Sequence, residues 1–124
     1  MSISNENNPC ITVVGLGSIT ADLEVPAAYA AQGRVIKSVS VIDQAGIAAS
    51  DTNYILLTLK NGATTIATLD SRAAANGALT ANVAKALTLV VAAIAAGSTL
   101  TLDYDEEGTV AMTSAQLAIE WHAK

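Results

Sequence analysis

The chain of 124 residues has the length of one domain and can bury a core without covalent staples, which excludes a second catalytic domain. Apolar residues make up 52% and charged residues 14%, with one Trp and no Phe, so the core is expected from Val, Ile, Leu and Ala. Abundant Thr beside them leans towards strands. A net charge of -5 with six scattered Lys and Arg residues excludes a nucleic-acid surface.

Met1 to Pro9 is polar and unpatterned and reads as a solvated N-terminal arm, residues 1–9, ahead of a single domain over 10–124. It lacks the basic-then-apolar organisation of a secretory signal, so export by that route is not expected. Cys10 is the single cysteine, so no intrachain disulfide can form, and with His122 the only histidine no Cys/His zinc site is available. Assembly in a reducing compartment fits that usage.

Cys10 to Leu16 and Thr20 to Val25 read as strands, and AAYAAQG, ending at Gly33, as a loop or a single helical turn. The whole stretch ITVVGLGSITADLEVPAAYAAQGRVIKSVSVID imitates a dinucleotide-binding unit, with Asp43 at the place of a ribose-binding acid. The imitation fails twice. Thr20 stands where the third small residue of G-x-G-x-x-G/A is needed, and Pro26 would lie well inside the required helix, at a cost of about 3 kcal/mol. Gly15 and Gly17 are therefore assigned to a bend between strands.

Arg34 to Asp43 is a half-buried strand, with Val39 and Val41 facing one way and Ser38 and Ser40 the other. DQAGIAASDTN is loop chemistry. Tyr54 to Lys60 and Ala63 to Asp70 flank Asn61-Gly62, which predicts a β-hairpin about that pair because both turn residues accept positive φ. Ala73 to Ala78 reads as loop or a short helical turn and Ala86 to Val91 as a strand. The apolar run Ala86 to Ala96 is too short for the roughly 20 residues of a membrane-spanning helix and reads as a buried segment.

Leu100, Leu102 and Tyr104 alternate with Thr and Asp, DEEG marks a turn, and Leu117, Ile119 and Trp121 alternate up to His122. About eight strands with turn signals and no long helix predict an all-β antiparallel sandwich.

Asp103, Asp105 and Glu107 in DYDEEGTV mimic a calcium loop, yet Ser114 stands where the bidentate Glu belongs, so an exposed acidic hairpin tip is the favoured reading and weak calcium binding the other. His122 is expected to face outward at an edge, and Cys10 to be a small buried hydrophobe rather than a reactive thiol. Trp121 and Tyr54 could stack on a sugar, although a Trp at an inward position of an alternating strand reads as core. No catalytic, cofactor or metal residues are assigned, and an enzyme is not expected.

Residues 34 to 122 resemble small bacteriophage head proteins, the jelly-roll decoration or cement subunits. The segments that carry this are NYILLTLKNG, GALT, AAIAAGSTLTLDYDEEGTVAM and QLAIEWHA. The resemblance implies a jelly-roll sandwich in which Gly, a small polar residue and T-L-T-L open a core strand and a Gly-Thr turn precedes the last one. It also implies a virion structural protein, made in the host cytoplasm and placed on the capsid exterior, that binds across major capsid protein subunits as a homotrimer. Low charge and surplus apolar residues suit a subunit that buries faces against copies of itself or a lattice. The competing reading is a ligand- or carbohydrate-binding β-sandwich, an adhesin or receptor-binding domain, which would need exposed aromatics along one face.

Overall fold

A computed structural model of the chain describes residues 10–73 and 77–123; the polar arm and part of the segment read as a loop or helical turn lie outside the described residues. Among the described residues, ten strands form two antiparallel sheets packed face to face. They are β1 (Cys10–Ile19), β2 (Leu23–Ala30), β3 (Arg34–Ile42), β4 (Tyr54–Asn61), β5 (Thr64–Asp70), β6 (Lys85–Ala86), β7 (Thr88–Leu89), β8 (Ala93–Ile94), β9 (Ser98–Glu107) and β10 (Met112–Ala123). One sheet runs β1-β10-β3-β6 with β8 also on β3, and the other runs β2-β9-β4-β5-β7. The chain swings from sheet to sheet and its first and last strands are neighbours, which is the double Greek key of a jelly roll.

The core comes from the alternation visible in sequence. Ile55, Leu57 and Leu59 of β4, Leu100, Leu102 and Tyr104 of β9, and Leu117, Ile119 and Trp121 of β10 all point between the sheets and are buried. On β3, Val39 and Val41 point inward as predicted, and a register shift against β10 between Glu120 and Trp121 lets Ile36 face the core as well. β9 opens at Ser98 after Gly97, and a Gly108-Thr109 turn precedes β10.

Several local expectations are corrected. The hairpin exists, but its two loop residues are Gly62 and Ala63, because Asn61 pairs with Thr64 as a strand residue. Only Gly62 adopts positive φ, at 61°, so one residue rather than two carries the turn. Ala27 to Ala30 is strand, not loop or helical turn: β2 runs through Pro26, which an edge strand tolerates because no neighbour needs its missing N–H, and the register slips between Pro26 and Ala28. Gly15 and Gly17 lie inside β1, not between strands, at two register shifts against β10, with Gly17 at a φ of 66°.

Ala86 to Val91 is not one strand. The chain gives β6 to one sheet and β7 to the other and returns to the first with β8. Leu87 is buried at the crossing and its N–H donates to the Val39 carbonyl at 2.8 Å, while the N–H of Val90 donates to Ile66 O at 2.7 Å. The alternation that suggested a continuous strand is the trace of a segment stitching two sheets together. No described helix is long and apolar enough to cross a membrane.

Candidate functional site

The two sheets present opposite chemistry to the outside. In β1, Thr12 and Val14 lie opposite Ile119 and Leu117, which are buried, so Ile11 and Val13 point out of the sandwich, where they are 63% and 58% exposed. Across that outer face the register places Val13, Ala118, Ser40 and Ala86 side by side, an uncharged row of modest side chains. A parallel row joins Gly15, Gln116 and Ile42, and charge enters only where Lys37 lies 3.9 Å from Glu120. The outer face of the other sheet reads Glu24, Asp103, Thr58, Thr68 and Thr88 along one row, with Lys60 Nζ donating to Asp103 Oδ2 at 3.2 Å. Alternation fixes both faces, since every second residue of each strand must leave the core.

The acidic segment is strand rather than turn tip. β9 continues through Glu107, so Asp103, Asp105 and Glu107 line up on its outer side about 7 Å apart instead of encircling an ion. Asp105 is held above the usual carboxylate range mainly by the negative charge of Asp22, whose Oδ1 accepts the Glu106 N–H at 2.8 Å. Among the described residues, no three His, Cys, Asp or Glu side chains are grouped so as to hold a metal ion. Asn53, which the sequence reading passed over as loop chemistry, organises the real turn: its Oδ1 accepts the N–H groups of Thr109 at 2.7 Å and Val110 at 2.9 Å.

Inside the same end of the sandwich, Asp43 is fully buried, with Oδ1 accepting the Thr113 N–H at 2.6 Å and Oδ2 without a hydrogen-bond partner among the described residues. Its role is to close the end of β3 against β10, not to meet a ribose. The Tyr104 phenol is pushed up to about 12, first by burial and then by the charge of Glu106.

The remaining candidates are dispersed. Trp121 is buried, 3% exposed, with Nε1 donating to Thr12 Oγ1 at 3.1 Å and the Arg34 guanidinium 5.5 Å from its ring centre. Tyr54 lies on the other sheet beneath Arg72, 5.1 Å from guanidinium carbon to ring centre, so the two aromatics never share a face. Tyr29 is exposed on β2 without either of them. His122 is half-buried on β10, an interior strand of its sheet, and therefore not at an edge; its Nδ1 is 3.0 Å from Ala123 O. Cys10 is exposed, not buried, because it opens a strand at the rim of its sheet, where Arg34 Nη1 donates to Sγ at 3.3 Å. Comparison with family models, with curated proteins and with solved structures finds no match to this chain.

Proposed function

We propose that the chain is a bacteriophage virion structural protein that decorates a capsid shell and stabilises it by binding across major capsid protein subunits. The observation that carries this reading is the two-faced sandwich. The outer row Val13, Ala118, Ser40 and Ala86 is flat and uncharged, suited to lying against a broad protein surface, whereas Glu24, Asp103, Thr58, Thr68 and Thr88 suit solvent. The resemblance supports it independently, and three copies around one axis on the capsid exterior belong to the same proposal. A carbohydrate-binding reading is less well served, because Trp121 is in the core and Tyr54 lies under Arg72.

Shells with and without the protein test the proposal. Ser40→Arg places a large charge in the middle of the flat face without touching the core, so it should abolish co-sedimentation with shells while far-UV spectra stay unchanged. Shells carrying the wild-type protein should hold their genome through heating or osmotic shock that empties bare ones. Undiminished binding of Ser40→Arg removes this face from the reading, and equal survival of bare and decorated shells removes the stabilising role.

A further inference from the structure

The edges of the two sheets are not treated alike. A strand at a sheet edge presents a row of unpaired N–H and C=O groups, and proteins that stay apart blunt such edges with charge, proline, bulges or brevity. β2 carries Glu24 and Pro26 and a register slip, β7 is two residues long, and the far edge of the other sheet is made of the two-residue strands β6 and β8. β1 is ten residues long, pairs among the described residues only with β10 and contains no charged residue and no proline. Its register shifts fall at and beyond Gly15, so Cys10 to Val14 is a regular, unblunted edge. The same five residues carry Ile11 and Val13, two of the four large β-branched apolar side chains that are exposed among the described residues.

We propose that this edge is an interface: β1 of one copy hydrogen-bonds antiparallel to β1 of a second copy about a two-fold axis through Thr12, joining two sheets into one. The sequence is complementary to itself in that register. Thr12 meets its own counterpart, and on the outer face Ile11 of each copy lies across from Val13 of the other, so both exposed side chains cover each other in two equivalent cross-strand pairs. Charge selects the same approach. Each copy carries -5, and Asp22, Glu24, Asp103, Asp105 and Glu107 all lie on or beside the other sheet or its end; beside the Cys10 to Val14 edge the one acid, Glu120 opposite Ile11, is offset by Lys37 at 3.9 Å and by Arg34 at Cys10, so two acidic molecules can approach there without net repulsion. The occupant is a second copy of this chain, and the inference needs no shell.

Sedimentation equilibrium of the purified full chain tests it with two variants at exposed positions. Wild type should sediment as an even number of chains, and Val13→Lys as half that number, with an unchanged far-UV spectrum, because a lysine on the seam faces an apolar partner and lies diagonal to its own copy. The double variant Ile11→Lys with Val13→Glu should keep the wild-type mass at low salt, since the Thr12-centred register sets each Lys across from a Glu of the other copy and the Lys also faces Glu120 of its own chain. Hydrogen exchange adds an independent readout: β1 amides directed away from β10 should be slow in wild type and fast in Val13→Lys, while those directed at β10 stay slow in both. A wild type of odd-numbered mass, a single chain included, overturns the proposal, as does a Val13→Lys protein that keeps the wild-type mass or a double variant that falls to half of it. The three-fold arrangement of the capsid reading gives three chains by itself and six when trimers are joined in pairs through β1, so a mass of three keeps that reading and overturns the β1 contact, while shell binding is scored separately.

Discussion

The side-chain oxygen of Asn53 lies 2.7 Å from the amide nitrogen of Thr109, joining the start of β4 to the turn after β9 across 56 residues of chain. The same oxygen takes the Val110 N–H, so one amide side chain stands in for a missing backbone partner twice. Asn53→Ala should cost about 1–2 kcal/mol of unfolding free energy, two modest hydrogen bonds at an exposed site. Asn53→Asp keeps the acceptor and should cost less. Urea unfolding of the three proteins checks the order, and equal midpoints for Ala and wild type would show that water replaces the cap freely.

The β4–β5 turn rests on backbone conformation rather than space. Gly62 has a φ of 61° and an added Cβ would meet nothing within 4 Å, so any cost of substitution comes from the left-handed conformation itself. Gly62→Val should destabilise by about 2 kcal/mol and Gly62→Asn by clearly less, since Asn tolerates that region better than a β-branched residue. Thermal melts of the two variants measure the difference; equal losses would point to a lost contact instead.

Tyr104 ties stability to alkaline pH. Its folded value of about 12 lies above the ordinary tyrosine value of 10.0, so between those values the unfolded chain has released a proton that the folded chain keeps. The unfolded state then binds fewer protons, and stability falls as pH rises from about 10 towards 12. Below pH 10 this contribution is flat. Tyr104→Phe should remove most of that slope while costing about 1–2 kcal/mol at neutral pH, because the phenol's hydrogen bond to Val110 O is long at 3.5 Å and the Met112 backbone is its other partner. Denaturant midpoints measured across alkaline pH for both proteins test this, and parallel curves would place the titration elsewhere.

Strict alternation made the long strands legible: Leu100 to Tyr104, Leu117 to Trp121 and Val39 to Val41 bury the side that their period-two pattern names. What alternation does not encode is a change of sheet. Ala86 to Val91 looks like one strand because Leu87, Leu89 and Val91 alternate with Thr88 and Val90, yet its partners are Val39 on one sheet and Ile66 on the other, and only tertiary contact reveals the crossing. Pro26 misled in the opposite direction, since a proline ends a central strand but not an edge. The outer faces were half legible. Thr99, Thr101 and Asp103 announced a solvated side, whereas the exposure of Cys10, Ile11 and Val13 follows from β1 having one neighbour, a fact of topology that an apolar stretch of sequence cannot carry.

The position of β10 has a consequence for synthesis on the ribosome. It lies between β1 and β3, strands that leave the exit tunnel some eighty to a hundred residues earlier, so neither can complete its sheet until Met112–Ala123 emerges. The β4–β5 hairpin can close locally long before that, giving the nascent chain one ordered half and one waiting half. Closure by a late central strand is a contact of high sequence separation and correspondingly slow. During the delay β1 is open on both sides, and at high expression its apolar Cys10 to Val14 stretch would be bared on many nascent chains at once. The yield of correctly folded protein should therefore be governed less by the stability of the finished sandwich than by how quickly β10 is delivered to the gap that awaits it.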